Sequence, residues 1–476
     1  MCVRATVLGV LAAAATLAGC SLAPSYSLPE VTVPPSYGGA TAWQAAQPHD
    51  QLPRGPWWAR FQDADLAGLE DQLEAASPDL AVAVARYGQA RALAAEAGAG
   101  LFPVLVAGGY MNSDRQSDNR PLRSVTQPST YKDNVLAGAA SYELDLWGRV
   151  RNTALAGRAG AQASAADLAA VRLSLEAELA ADYLTLRGVD AQLKLYADTI
   201  EAYRRALALV RDRHDGGIAS GLDLARAENQ LSGAEAQMTD LTARRELLEH
   251  AIARLVGKTP EALHFGPEPA LPAVPEIPLG VPSALLERRP DVAAAERRVA
   301  AANANIGIAR AAYFPRITLN AVGGYQSTES SGWLTAPNRF WAVGPQALLT
   351  LFDAGLRRAE TERARSAFDE AAERYRGTVL SAFQEVADNL SLLDRLKVES
   401  EQQAAAARAA ERALELATNR YTEGAVSYLD VVTAQTAALQ AEGALLSIEV
   451  RLLNASVGLV RGLGGGWSVA ELPSGS

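Results

Sequence analysis

The spacing of apolar and polar residues changes character within the stretch 285–326, and that change organises the chain. From Pro290 to Ala312 the residues are mostly Ala, Arg and Glu, with Gly307 the one glycine. That composition favours helix. Phe314-Pro315 stops it, because Pro315 has no amide to donate and drives the residue before it out of the α region. Beyond the stop the period becomes two: Ile317, Leu319, Ala321, Gly323 and Tyr325 fall on one side, Thr318, Asn320 and Gln326 mostly on the other. The same device occurs in 77–110. Pro78-Asp79 and Phe102-Pro103 match Pro290-Asp291 and Phe314-Pro315 at a constant offset of 212 (290 − 78). The chain is a tandem duplication whose unit is a helix running into a strand.

In order, the first copy (63–256) predicts a helix over 63–100 with a break at Ser77-Pro78, a strand over 103–112, and a polar loop to Lys132. A strand follows over 134–146, with Leu136, Gly138, Ala140, Tyr142, Leu144 and Leu146 on one side and Ser141, Glu143 and Asp145 on the other. Such alternation suits core against solvent in a sandwich, or lipid against lumen in a membrane barrel. Residues 147–212 contain no proline, enough for one helix of about 100 Å at ~1.5 Å per residue. After the turn His214-Asp215-Gly216-Gly217 a second helix, 222–256, carries a heptad seam of Leu224, Leu231, Met238 and Ile252 with Ala227, Ala234, Leu241, Leu248 and Leu255, interrupted by Arg245. This is a coiled-coil hairpin.

A Pro-rich linker, 257–282, leads to the second copy, 283–463, and a tail, 464–476. The second copy predicts helix 282–312, strand 316–326, loop 327–338, strand 340–352, long helix 354–420, and a return helix 427–463. Its later half runs at an offset of 207 (355 − 148), which pairs Gly148 with Gly355, Gly217 with Gly424, Ser220 with Ser427 and Asp223 with Asp430. The same offset carries the heptad seam onto Val431, Ala438, Leu445, Leu452 and Leu459, with Ala434, Ala441, Ile448 and Ala455.

Composition narrows the function. The formal charge of −10 and pI near 5.2 leave no basic stripe for nucleic acid. The four histidines are scattered without metal-ligand spacing. No nucleophile elbow, Walker loop or dinucleotide fingerprint is present, so an enzyme is not expected. Residues 1–19 read as a secretory signal, with Arg4 before an apolar run too short to span a membrane. The signal ends Leu17-Ala18-Gly19-Cys20, which resembles the bacterial lipobox. Cys20 is then expected to carry a diacylglycerol thioether and an N-acyl chain, an anchor of more than one acyl chain. Ser21 in place of Asp favours the outer membrane. Residues 20–62 are expected to form a lipid-anchored extended tether, Pro-, Gly- and Ser-rich over 21–56, with Trp57-Trp58 and Phe61 beginning the packed structure.

Four strands cannot close a membrane barrel, for which about eight is the minimum, and an open sheet leaves unpaired edges. Several chains must contribute. Phe102, Trp147, Phe314 and Phe352 stand at the strand ends nearest the helices, as a membrane-interface girdle would. Pro345, inside the last expected strand, needs a place where no amide is required.

The segments SALLERRPDVAAAERRVAAANANIGIARAAYFP (283–315), FWAVGPQALLTLFDAG (340–355) and CSLAPSY…WWARFQDADLAGLE (20–70) resemble the TolC-like outer-membrane factors, in particular the lipoprotein branch serving resistance-nodulation-division efflux systems. The likeness covers nearly the whole mature chain. It implies a homotrimer: a twelve-stranded barrel continued by a long α-helical coiled-coil barrel across the periplasm. A periplasmic adaptor and an inner-membrane pump would be its partners and small toxic compounds its cargo, with no cofactor. A duct for protein export and a non-pore coiled-coil scaffold are the alternatives. The resemblance also puts the hairpin turns at the periplasmic entrance. There Asp430 matches an aspartate that narrows the passage, with Asp223 its counterpart in the first hairpin. Arg420 and Tyr421 match positions that bind neighbouring coils in the closed state. Many relatives carry an acid where this chain has Thr433. Structurally, Ser220 and Ser427 are expected as N-caps, with the aspartates in the first helical turn.

Overall fold

A four-stranded antiparallel sheet sits at one end of two hairpins of very long helices. The computed structural model describes residues 21–31, 56–120, 126, 128–277 and 288–473. The signal, Cys20, most of the tether and residues 282–287 of the expected fifth helix lie outside them.

The first copy comprises α1 (Ala64–Ala76), α2 (Pro78–Ala99), β1 (Val104–Arg115), β2 (Thr130–Leu144), α3 (Arg149–Asp215) and α4 (Gly221–Leu255). The second comprises α5 (Pro290–Ala311), β3 (Arg316–Ser327), β4 (Arg339–Leu348), α6 (Leu356–Thr422) and α7 (Tyr428–Gly462). The break at Ser77-Pro78 is present: the Ser77 hydroxyl caps α2 and Pro78 opens it. α3 and α6 each run 67 residues.

The sheet order is β1-β2-β3-β4. Adding the two repeat offsets to the pair Val104↔Ser141 of the first strand hairpin gives Arg316↔Leu348, which is a pair of the second. The duplication therefore holds to the residue. The strand expected over 340–352 ends at Leu348 instead, because its partner β3 begins at Arg316, just after the amide-less Pro315. Phe352 consequently lies outside the sheet. Likewise β2 ends at Leu144, and Asp145 turns to accept the amides of Val150 (3.0 Å) and Arg151 (2.8 Å) at the start of α3. Pro345 lies opposite Leu319 on β4; with no amide to donate, it leaves one rung of a strand ladder unbonded.

The core lies beside the sheet-proximal halves of the helices. Trp57 and Phe61, in a short turn before α1, pack with Leu66 and Leu73 against Leu179 and Leu184 of α3, Ile252 of α4 and Leu453 of α7. Each such Leu contributes ~1.5–3 kcal/mol on burial. Arg245, the break in the heptad, donates to Asp190 (2.6 Å) and to the Phe265 carbonyl (2.8 Å), tying the Pro-rich linker to the hairpin. Asp190 also pairs with the buried Arg187. Arg289 does similar work in the second copy, binding Asp291, Glu385 and the Gly462 carbonyl. The seams are buried as the heptads require, at Ala227, Ala234 and Leu241 in α4 and Val431, Ala438, Ile448 and Leu459 in α7.

One buried acid has no such partner. Glu70 is 1% exposed and neither of its carboxyl oxygens has a hydrogen-bond partner among the described residues. Burial, then the negative charges of Glu176 and Asp71, pushes its pKa up to about 10. Glu176, which accepts from the Trp57 indole at 3.0 Å, is raised by burial to about 7.

Candidate channel wall and entrance

The register assigns every strand residue to one of two faces, since alternate side chains point oppositely. One face carries Leu105, Ala140, Ala321 and Val343 in one row and Ala107, Gly138, Gly323 and Trp341 in the next. It is apolar from Leu144 to Leu136 on β2 and from Ile317 to Tyr325 on β3. Those spans are ~26 Å along the strands, or about 20 Å high at ~40° tilt, close to the apolar band of an outer-membrane barrel. Trp341 and Leu105 on this face are 77% and 76% exposed.

The opposite face is laced with polar bonds. Ser141 donates to Asn320 (3.0 Å), which donates to Gln346 (3.3 Å). Nearer the far end, Tyr110 and Gln326 both donate to Asp133 at 3.0 Å. One face thus suits hydrocarbon and the other water. Among the described residues, the outer sides of β1 and β4 have no strand beside them.

Of the four girdle aromatics, the structure brings two together. Trp147 stacks on Phe314 with centroids 4.6 Å apart, and its indole donates to the Pro315 carbonyl at 2.9 Å. Phe102 and Phe352 are exposed, 69% and 86%, beside the outer strands.

At the far end of the helices the two hairpin tips lie side by side. In the first, Ser220 and Asp223 form a reciprocal capping box at the start of α4; Ser427 and Asp430 repeat it at the start of α7. The Ser220 hydroxyl accepts from the Asp223 amide (3.2 Å), whereas at the second tip the bonds run from the Ser427 amide and hydroxyl to the Asp430 carboxylate. Tyr421 is buried against Tyr428, with centroids 5.4 Å apart. Arg213, the last-turn arginine of α3, lies 4.5 Å from the Tyr421 ring centroid and donates to the carbonyls of Tyr421 (3.1 Å) and Thr422 (3.0 Å). It neutralises the carbonyl end of α6 from the neighbouring hairpin. Sequence reasoning passed over Arg213, although it is the counterpart of Arg420 at the offset of 207. Arg420 itself is exposed, as is Asp430. Arg226 was also missed. It reaches Asp223, and its counterpart at the same offset is Thr433, whose hydroxyl bonds the Leu429 carbonyl. Among the described residues no group of acids, histidines and cysteines could hold a metal.

The family described as Outer membrane efflux protein matches residues 69–258 and 281–465. The chain is 34% identical over 456 residues to the outer membrane protein OprJ of Pseudomonas aeruginosa, covering 95% of this chain and 94% of that one. It is 32% identical to the solvent efflux pump outer membrane protein SrpC of Pseudomonas putida, covering 96% and 97%. Its fold is similar to that of the outer-membrane channel OprN (TM-score 0.88, 32% identity, 94% of this chain and 100% of that one). The Campylobacter jejuni CmeC outer membrane channel shares the fold at 23% identity, with a TM-score of 0.89 and coverage of 95% and 96%.

Proposed function

The chain belongs to the outer membrane efflux protein family, and from that premise we propose that three copies form one duct through the outer membrane and across the periplasm. The observation that carries this is the sheet: four strands, apolar on one face and polar on the other, open at β1 and β4. Only further copies can satisfy those edges in hydrocarbon, where an unpaired amide costs several kcal/mol. Among the described residues α5 is packed against both 67-residue helices, α3 and α6, whereas its counterpart α2 is packed along only one of them, α3, with slighter contacts to α1 and, through Asp79, to Arg254 of α4. In the ring α2 meets the partner subunit's α6, as α5 meets α3 inside each chain.

The duct is passive and receives cargo from an inner-membrane pump through a periplasmic adaptor at the hairpin tips. Its cargo is small toxic compounds, in keeping with a relative named for solvent efflux. The two-faced sheet argues against a scaffold without a pore. Cys20 carries the lipid. Phe102 and Phe352, flanking the open edges, meet across each subunit boundary and complete the aromatic belt that Trp147 and Phe314 form within the chain. At the entrance Asp430 lines the constriction. Arg420 makes between subunits the bond that Arg213 makes within one, reaching carbonyls at the α3 end of the partner's first hairpin. Expression with a pump and adaptor, in cells lacking their own outer-membrane channel, tests the reading. Restored resistance to organic solvent supports it; unchanged sensitivity with the protein present in the outer membrane contradicts it.

A further inference from the structure

The residues that follow Cys20 are extended, but they do not hang free. Ser21 and Asn152, in the first turns of α3, are bonded through their side chains at 3.1–3.2 Å. Arg310 of α5 donates to the Leu22 carbonyl (3.2 Å), Asn303 donates to the Pro24 carbonyl (3.0 Å), and the Tyr26 hydroxyl donates to Glu296. Residues 296, 303 and 310 are seven apart and so share one helix face. Between the last two lies Gly307. A Cβ there would stand 2.8 Å from the Ala23 Cβ, 2.9 Å from its amide nitrogen and 2.5 Å from the Asn152 amide. The glycine leaves the space in which the segment lies.

We propose that this α5–α3 groove is a dedicated seat for the lipid-bearing N-terminus, its partner being the inner leaflet of the outer membrane; the proposal rests on the lipoprotein reading of Cys20. Asn152 is three residues into α3 from Arg149, about 4.5 Å of helix, and Trp147 lies just before that helix, so the seat holds Ser21 just below the stacked Trp147–Phe314 pair. Cys20, one peptide away, is delivered to the level where the strands meet the helices. The acyl chains then enter the leaflet against the barrel wall instead of at the end of a loose tether. The seat belongs to the second copy alone. At the offset of 212 the first copy has Val84, Arg91, Ala95 and Gly98 in place of Glu296, Asn303, Gly307 and Arg310. A trimer therefore has three seats, each beside α5 and none beside α2.

The test uses the full-length chain carrying Ser27→Cys, made in bacteria, purified in detergent and labelled with a thiol-reactive nitroxide. Cys2 leaves with the signal and an acylated Cys20 has no thiol, so one label per chain is expected. Its spectrum should be motionally restricted. Gly307→Leu, which fills the groove, and the pair Asn303→Ala with Arg310→Ala, which adds no volume, should each convert it to a fast component while trimers persist. A mobile label in the parent protein, or a spectrum unchanged in the double variant, overturns the docking. Two labels per chain would show Cys20 unacylated, and would overturn the lipid seat through its premise even where the segment is docked.

Discussion

Arg226 lies 3.5 Å from Asp223 in the first hairpin turn, and Thr433 stands at the corresponding place beside Asp430 in the second. Two aspartates with the same capping role therefore differ in charge compensation. Asp223 is paired, whereas among the described residues Asp430 bonds neutral groups, the amide (3.0 Å) and hydroxyl (2.8 Å) of Ser427.

Around a threefold axis the three Asp430 carboxylates would attract cations, because low-dielectric walls focus their field. Asp430→Asn should lower cation preference in planar-bilayer recordings, and Asp223→Asn should change it much less. Unaltered selectivity in Asp430→Asn would show that this residue only starts a helix.

Arg213 joins the tips within each chain through two carbonyls and the Tyr421 ring. Hydrogen bonds from a charged donor are worth roughly 1.5–3 kcal/mol, so Arg213→Ala should loosen the contact between the two tips. The expected result is a higher mean conductance and faster amide exchange at 421–424. Conductance and exchange identical to the parent would show that the tips are held elsewhere.

The duplication made most of this architecture legible, because its offsets transfer register: Val104↔Ser141 onto Arg316↔Leu348, and the seam residue Ala227 onto Ala434. It also makes differences between the copies informative, as at Arg226 and Thr433. Strand ends were less readable. Leu349–Phe352 is as apolar as the strand before it, but Pro315 ends the opposing ladder. The seating of residues 21–31 was not readable either, since a Pro- and Ser-rich segment gives no sign of the groove that Gly307 opens in a helix more than 270 residues away.

Glu70 makes stability fall with rising pH. Its folded-state pKa, about 10, lies above the ordinary carboxylate value, so its contribution is intact below about pH 4.5 and declines as the pH rises toward 10. At pH 7 the cost is on the order of 3 kcal/mol per chain; Glu176 adds a smaller loss between about pH 4.5 and 7. Glu70→Gln should melt higher than the parent at pH 8 and near it at pH 4.5. Parallel melting curves for the two proteins across that range would refute the assignment.

Cys20→Ala should abolish incorporation of labelled palmitate while leaving the barrel able to insert. Persistent labelling would place the lipid elsewhere or remove the anchor from the account.

The most direct test of the shared barrel is the native mass of the protein extracted from the outer membrane in detergent, taken on the preparation that forms channels in planar bilayers. Three chains are predicted, with no channel activity in any fraction of single chains. A monomer that conducts would contradict the account, because the described residues of one chain offer four strands and leave the edges of β1 and β4 unpaired.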